Sequence, residues 1–127
     1  MNTIVIHTLQ GGRVNGSTGD FRPNQEKFHI NLENGEVAVM SVPKLKAVFF
    51  VKDLTGDPKR EDSYEDVVPG GGRKVKVTFK DGEVIVGFTT AYSAERQGWF
   101  LVPADEGSNN LRIFVVNDAV ADVQFLS

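Results

Sequence analysis

Cysteine is absent from the 127-residue sequence, tryptophan occurs once and histidine occurs only twice. Without cysteine, neither a disulfide framework nor a thiolate zinc site can form. No apolar run approaches the roughly 20 residues that a membrane-spanning helix needs, and the first residues show no basic segment followed by an apolar one. We therefore expect no membrane span and no signal peptide, which together predict a cytoplasmic protein.

A large excess of charge of one sign is also missing, since 14 basic and 17 acidic residues give a formal net charge of -3. This balance argues against bulk attraction to nucleic acid, although it leaves room for a local basic patch. Catalysis requires several convergent groups with tuned pKa values, whereas His7 and His29 fall on predicted strands, where an ordinary structural histidine is expected. We therefore predict a protein that is not an enzyme and that uses neither a metal nor a cofactor.

What the sequence does contain is an internal repeat, in which residue i matches residue i+71 over its strongest part. The matching segments are Gly16 to Phe21 with Gly87 to Tyr92, Phe28 to Ile30 with Trp99 to Leu101, Val37 to Met40 with Ile113 to Val116, Ala47 to Phe50 with Asp122 to Phe125, and, after a one-residue gap, Gly12 to Val14 with Gly82 to Val84. A repeat of this length predicts that each copy is one compact unit. We expect a first unit over residues 1–51, an acidic, glycine-rich linker over 52–72 and a second unit over 73–127.

The residue pattern within each copy is typical of short strands. Val75, Val77 and Phe79 alternate with polar residues, which indicates a half-buried strand, and the following Asp81-Gly82 pair is a strong hairpin signal. Five such strands are expected in each copy, with no helix of any length between them. The sequence therefore predicts an all-β protein made of two tandem five-stranded small barrels, of the Sm-like or SH3-like kind, packed together.

Several predicted strands are apolar on both faces. They are Val84 to Val86, Trp99 to Val102, Ile113 to Val116 and Ala47 to Val51. A barrel interior covers only alternate residues of a strand, so the remaining apolar side chains need a second surface. The other copy or another subunit would supply it, and a homo-oligomer formed through these strands is one expectation.

The order of strands and turns resembles the Sm-like small barrel, and the second copy carries the resemblance in Asp81 to Gly87 and Arg112 to Val120. The resemblance implies RNA binding through an Asp and an Asn near the second and third strands and an Arg-Gly-type pair after the fourth. In the second copy, these places hold Ala91-Tyr92, Trp99-Phe100 and Val116-Asn117. Single-stranded RNA binding by a divergent Sm-like protein is therefore the alternative function.

The whole chain also looks like a family of uncharacterised bacterial proteins with duplicated domains. The segments that carry this resemblance are Gly72 to Val75, Gly98 to Asp105 and Ser108 to Asn110. This resemblance implies no particular activity.

Two turns, one in each copy, are the candidate binding elements. Phe21-Arg22 and Tyr92 to Arg96 each place an aromatic residue and an arginine after the second strand, and Trp99 follows closely. Aromatic residues with arginine are typical of protein-binding hot spots and of base-stacking platforms. The competing interpretation is that the aromatic rings fill the ends of the barrels and the arginines face solvent.

Basic residues cluster on one predicted strand, where Lys74 and Lys76 share a face and Arg73 and Lys80 lie nearby. This stripe would attract phosphates or an acidic partner, or it would only protect an edge strand from unwanted pairing. The function expected from the sequence is a non-enzymatic binding or regulatory adaptor that recognises a protein partner, with RNA binding as the alternative.

Overall fold

The structure is a computed structural model that describes residues 1–53, 72–104 and 108–126. The predicted linker, residues 52–72, lies almost entirely outside the described residues. The polar segment from Asp105 to Asn110, for which the sequence predicts a turn after the third strand of the second copy, also lies partly outside them. Below, the N-terminal half means residues 1–51 and the C-terminal half means residues 73–126.

The described chain is all-β, as the alternation of its residues predicts. Two single-turn 3-10 helices, Val42–Lys44 and Asn117–Ala119, precede the last strand of each half, and these described ranges contain no α-helix. The residue pattern predicts that the second strand of each half extends to Phe21 and to Tyr92, but it ends three residues earlier, at Thr18 and at Thr89. The strands are β1 (Asn2–Thr8), β2 (Arg13–Thr18), β3 (Lys27–Leu32), β4 (Val37–Ser41), β5 (Leu45–Val51), β6 (Arg73–Phe79), β7 (Val84–Thr89), β8 (Gly98–Pro103), β9 (Asn110–Val116) and β10 (Val120–Phe125).

The ten strands form one antiparallel sheet in the order β10-β6-β7-β8-β9-β5-β1-β2-β3-β4. The two halves join where β5 pairs with β9, a junction that we call the central seam. The sheet does not close, because among the described strands β4 and β10 each pair on one side only. The two closed barrels that we expected are thus not seen. The halves instead join edge to edge, through β5 and β9, two of the strands that are apolar on both faces.

Strand registers recur between the halves. Ile4 lies opposite Gly16 in the first hairpin, and Val75, 71 residues later, lies opposite Gly87. The pairing of the first strand with the fifth contains an irregularity at the same place in each half, next to the last residue of β1 and of β6. Corresponding residues of the two halves can therefore be compared one by one.

The tight turns after β1 and β6 depend on glycines in a left-handed conformation. Gly11 has φ +88° and Gly82 has φ +94°, a region that residues with a Cβ rarely adopt. The amide of each glycine donates to the carbonyl three residues before it, at 3.1 Å and 2.9 Å. Gly82 thus corresponds to Gly11 and not to Gly12, and the gap placed in the repeat on sequence grounds is wrong.

Two large hydrophobic cores both cross the central seam, and a third, smaller cluster of Val86, Phe88 and Ala104 lies within the C-terminal half. Alternate residues of a strand point to opposite faces, so Val48 enters the first core while its neighbour Phe49 enters the second. The first core consists of Ile4, Ile6, Phe28, Ile30, Val42, Leu45, Val48, Phe50, Phe114 and Val116. The second consists of Val5, Ala47, Phe49, Val51, Val75, Val77, Phe79, Trp99, Leu101, Ile113, Val115 and Ala119. Each core is therefore incomplete without residues from the other half.

Candidate functional site

Phe21, a candidate binding residue at the turn after the second strand, lies half-buried among aromatic rings from both halves. Its ring centroid is 4.9 Å from that of Phe28 and 5.0 Å from that of Phe114, both in edge-to-face geometry. Phe50 and Phe100 complete the group at 5.6 Å and 6.0 Å. The Phe21 ring therefore fills space over the central seam. This agrees with the competing interpretation, in which the aromatic residues of the two turns serve packing.

Trp99 is also a packing residue, because its side chain is only 2 % exposed. Its indole Nε1 donates to Oδ1 of Asn117 at 2.9 Å. The amide nitrogen of the same Asn117 donates to the carbonyls of Ser93 and Arg96, at 2.7 Å and 2.8 Å. One asparagine thus fixes both the buried indole and the loop that carries the candidate arginine.

Tyr92 remains accessible, with 39 % of the residue exposed. Its ring lies 5.1 Å from that of Trp99 and 5.3 Å from that of Phe125, edge-to-face in both cases. The guanidinium of Arg73 lies 4.1 Å above the Phe125 ring centroid, a favourable cation–π geometry. We call Tyr92, Trp99, Phe125 and Arg73 the edge cluster, because Phe125 belongs to the edge strand β10.

Arg22 and Arg96 are both exposed, in the loops that follow β2 and β7. Gln97 connects these loops, since its side-chain amide donates to the carbonyls of Pro23 and Gln25 at 2.8 Å and 2.7 Å. The structure therefore brings the two candidate turns together, although they are more than 70 residues apart in sequence.

Lys74 and Lys76 are half-buried on β6, opposite Phe88 and Val86 of β7. Alternation along the strand places them on the face of β6 opposite to Val75, which belongs to the second core. Tyr92 and Phe125 of the edge cluster pack on the Val75 side. The lysine stripe and the edge cluster are thus on different faces of the sheet.

A buried cation at the central seam was not anticipated from the sequence. Lys46 of β5 is 7 % exposed, and its ammonium contacts Asp81 at 2.7 Å and also Glu83. Burial by itself would lower the pKa of Lys46, but hydrogen bonds to the two carboxylates outweigh it and raise that pKa. The Lys46 hydrogen bond lowers the pKa of Asp81 in turn. The signal in the sequence that could have revealed this ion pair is Lys46 itself, a charged residue inside an otherwise apolar strand.

His7 lies beside this charged group, with its ring 4.5 Å from that of Phe49. Burial lowers the pKa of His7, and the positive charge of Arg13 lowers it further. His29 instead lies at the surface, where its Nδ1 is 2.7 Å from Oδ2 of Asp20. Hydrogen bonds from the His29 side chain and backbone lower the pKa of Asp20. The ring contact of His7 and the hydrogen bond of His29 thus give each histidine a structural role.

The family model described as "Family of unknown function (DUF6982)" matches residues 1–127, the whole chain. The chain belongs to the DUF6982 family. No curated protein and no solved structure matches it. In the described part of this DUF6982 chain, no helix is long and apolar enough to cross a membrane. Nor do three or more histidine, aspartate or glutamate side chains gather there in a group that could hold a metal ion.

Proposed function

We propose that this DUF6982 protein is a non-enzymatic binding or regulatory adaptor, built from a duplicated five-stranded unit, that recognises a protein partner. The observation that carries the proposal is the edge cluster. Tyr92 is exposed there although it packs against two aromatic rings. Arg73 lies over the same group. Tyrosine, tryptophan and arginine are the residue types that contribute most to binding at protein interfaces.

The edge cluster is held in place before any partner arrives. Asn117 fixes Trp99 by a hydrogen bond to the indole and fixes the loop that precedes β8 through the Arg96 carbonyl. Tyr92 rests on this support. A side chain that is already ordered loses little conformational entropy on binding, which favours recognition of a partner.

The position of the cluster at the edge of the sheet also favours a protein partner. Edge strands present backbone amides and carbonyls to which another strand can pair, and addition of a strand is a common mode of peptide recognition. β10 is such an edge in the described structure. The side chains of Tyr92 and Phe125 would then give specificity to contacts that the backbone provides.

Affinity capture from native lysate tests this proposal. Tagged wild-type chain is compared with Tyr92→Ala, and the captured proteins are identified by mass spectrometry. We expect at least one protein that is enriched on the wild-type chain and lost on Tyr92→Ala. Arg22→Ala and Arg96→Ala show whether the adjoining loops take part.

Val102→Ala is the matched control, because Val102 is 38 % exposed but points to the face of β8 opposite to Trp99, away from the edge cluster. This variant should retain the captured protein. Capture of RNA alone, or loss of the protein from both Tyr92→Ala and Val102→Ala, would show that the edge cluster does not recognise a protein.

Single-stranded RNA binding is the alternative function, and the observation in its favour is the pair of cations Lys74 and Lys76 on one face of β6. Neutralised phosphates release counterions, so such binding weakens steeply with salt. Titration of oligonucleotides at two salt concentrations separates the two functions. Salt-sensitive binding that is lost in Tyr92→Ala or Arg96→Ala supports RNA binding, whereas no binding even at low salt eliminates it.

A further inference from the structure

The described sheet ends in two edge strands, and these correspond to the two strands that meet in the central seam. β4 is the fourth strand of its half, as β9 is of the other, and β10 is the fifth strand of its half, as β5 is of the other. We infer that the chain associates head to tail with a second copy of itself, β4 of one copy pairing with β10 of the next in the register of the central seam.

The correspondence of β4 with β9 follows from their pairing with the third strand of each half. Ser41 lies opposite the first residue of β3, and Val116 lies opposite the first residue of β8. These residues are therefore equivalent, at an offset of 75 positions, so the sequence match of Val37 to Met40 with Ile113 to Val116, which has an offset of 76, is wrong by one residue. Two residues earlier, Val39 is equivalent to Phe114.

β10 corresponds to β5 at the same offset. Leu45 lies opposite the last residue of β1, and Val120 lies opposite the last residue of β6. The next residue is skipped in both pairings. Val123 is therefore equivalent to Val48, which lies opposite Phe114 in the central seam. The same register between two copies predicts the pairs Val39 with Val123 and Val37 with Phe125.

The edge cluster lacks neighbours that its counterpart has. Phe21, equivalent to Tyr92, contacts two rings of its own half and two from the other half, Phe100 and Phe114. Tyr92 contacts only the two equivalent rings of its own half among the described residues. The places of Phe100 and Phe114 would be taken by His29 and Val39 of the next copy.

The edge of β4 has the exposed apolar side chains that such a contact requires. Val37 is 60 % exposed and Val39 is 58 % exposed, whereas Phe114, the equivalent of Val39, is fully buried. Free edge strands usually carry charged residues that prevent pairing, but β4 has none. Covering these valines with Val123 and Phe125 would complete the second core as Phe114 completes the first.

The contact between copies should be weaker than the central seam. On the other face of β10, Asp122 and Gln124 stand where Ala47 and Phe49 stand in β5. These polar side chains leave that face hydrated, so association should be reversible. Since the two contacting edges differ, each added copy leaves both kinds of edge free, and the product is a ring or a filament.

This inference rests on the proposed function, because it names a second copy of the chain as the partner of the edge cluster. Cross-linking of purified protein tests the inference by itself, since no other protein is present, whereas capture from lysate tests the proposed function. The chain has no cysteine, so single Val39→Cys and Val123→Cys variants can be mixed and oxidised. Directly opposed residues of antiparallel strands lie within the distance that a disulfide bridges. We expect a covalent heterodimer of the two variants.

Leu111→Cys is the matched control for Val39→Cys, because Leu111 is 55 % exposed but lies on β9, which already pairs on both sides. Mixed with Val123→Cys, it should give no heterodimer. If Val39→Cys instead cross-links mainly to itself, the contact is a symmetric pairing of two β4 edges, and the head-to-tail inference is wrong.

Light scattering on the wild-type chain gives the mass of the assembly. We expect a multiple of the 13.9 kDa chain mass, reduced to one chain by Val39→Lys and unchanged by Leu111→Lys. A wild-type mass of one chain at every concentration tested, together with no heterodimer, would overturn the inference. Tyr92-dependent capture of a different protein would still leave the proposed function standing in that case.

Discussion

Lys46 and Asp81 form an ion pair across the central seam, with 2.7 Å between Nζ and Oδ2. Lys46 is in β5, whereas Asp81 is in the turn of the β6–β7 hairpin, so the contact ties the two halves together. The ammonium also lies 4.8 Å from the centroid of the Phe79 ring. A charge placed in this way helps to fix how one half docks on the other.

Replacing Lys46 by methionine keeps the aliphatic stem and removes the charge. Asp81 and Glu83 would then face each other without a cation, but both are about half exposed, so solvent screens the effect. We expect the free energy of unfolding to fall by about 1 kcal/mol, measured by urea denaturation. Lys44→Met, at an exposed position in the same half, should change it by less than about 0.5 kcal/mol. Equal losses in the two variants would contradict a specific role for Lys46.

Gly16 marks a place where backbones of neighbouring strands approach closely. A Cβ on Gly16 would lie 2.2 Å from the carbonyl oxygen of Asn31, whereas a Cβ on Gly19 would meet nothing nearer than 3.6 Å. We therefore expect Gly16→Ala to lower the free energy of unfolding by about 1–3 kcal/mol or more. Gly19→Ala should be close to neutral. Thermal or urea denaturation of both variants checks this, and a tolerated Gly16→Ala would show that the strands can separate.

Much of the fold follows from the sequence because local signals agree. The alternation of Lys74 to Phe79 and the Asp81-Gly82 turn define one hairpin, and the repeat transfers the same assignment to the other half. Strand two was placed too long in both halves, because it ends at Thr18, whose hydroxyl donates to the His29 carbonyl at 2.8 Å. That hydrogen bond depends on a neighbouring strand, which no local pattern reveals.

The joining of the halves was only partly predictable. The two-faced apolar strands correctly indicated that Ala47 to Val51 and Ile113 to Val116 need a second surface. They did not reveal that these strands pair directly, because apolar residues pack equally well between faces and along edges. Phe21 and Tyr92 also look equivalent in sequence. They differ in the structure because Phe21 lies at the central seam, half-buried among four rings, whereas Tyr92 lies at the edge of the sheet.

Phe114→Ala should destabilise both halves at once. Phe114 extends from β9 into the first core and is fully buried, so the cavity should cost about 3–5 kcal/mol. Trp99, the only tryptophan, reports on the second core. In urea, its fluorescence and the far-UV circular dichroism should shift together to lower midpoints. An unchanged fluorescence midpoint would mean that the two cores unfold separately. The control is Val39→Ala, at the exposed position equivalent to Phe114, which should lower the free energy of unfolding by less than about 0.5 kcal/mol.

His7 should make the protein less stable in mild acid. The pKa of His7 is lowered from 6.5 in the folded protein, first by burial and then by the charge of Arg13. Above pH 6.5 the imidazole is neutral in both the folded and the unfolded chain, so it has no effect on stability there. As the pH falls below 6.5 the unfolded chain binds the proton more readily, so the free energy of unfolding decreases until the folded pKa is passed.

Two variants separate this contribution from that of other groups. His7→Phe keeps a ring against Phe49 and cannot bind a proton, so the decrease that begins near pH 6.5 should disappear. Arg13→Gln keeps the imidazole and removes the nearby cation, so the decrease should become smaller but persist. Urea midpoints measured from about pH 8 to about pH 5 give the comparison. Asp20 and Asp81 act at lower pH, because their pKa values are held below the usual value of 3.8. A decrease near pH 6.5 that survives in His7→Phe would therefore have to come from another group.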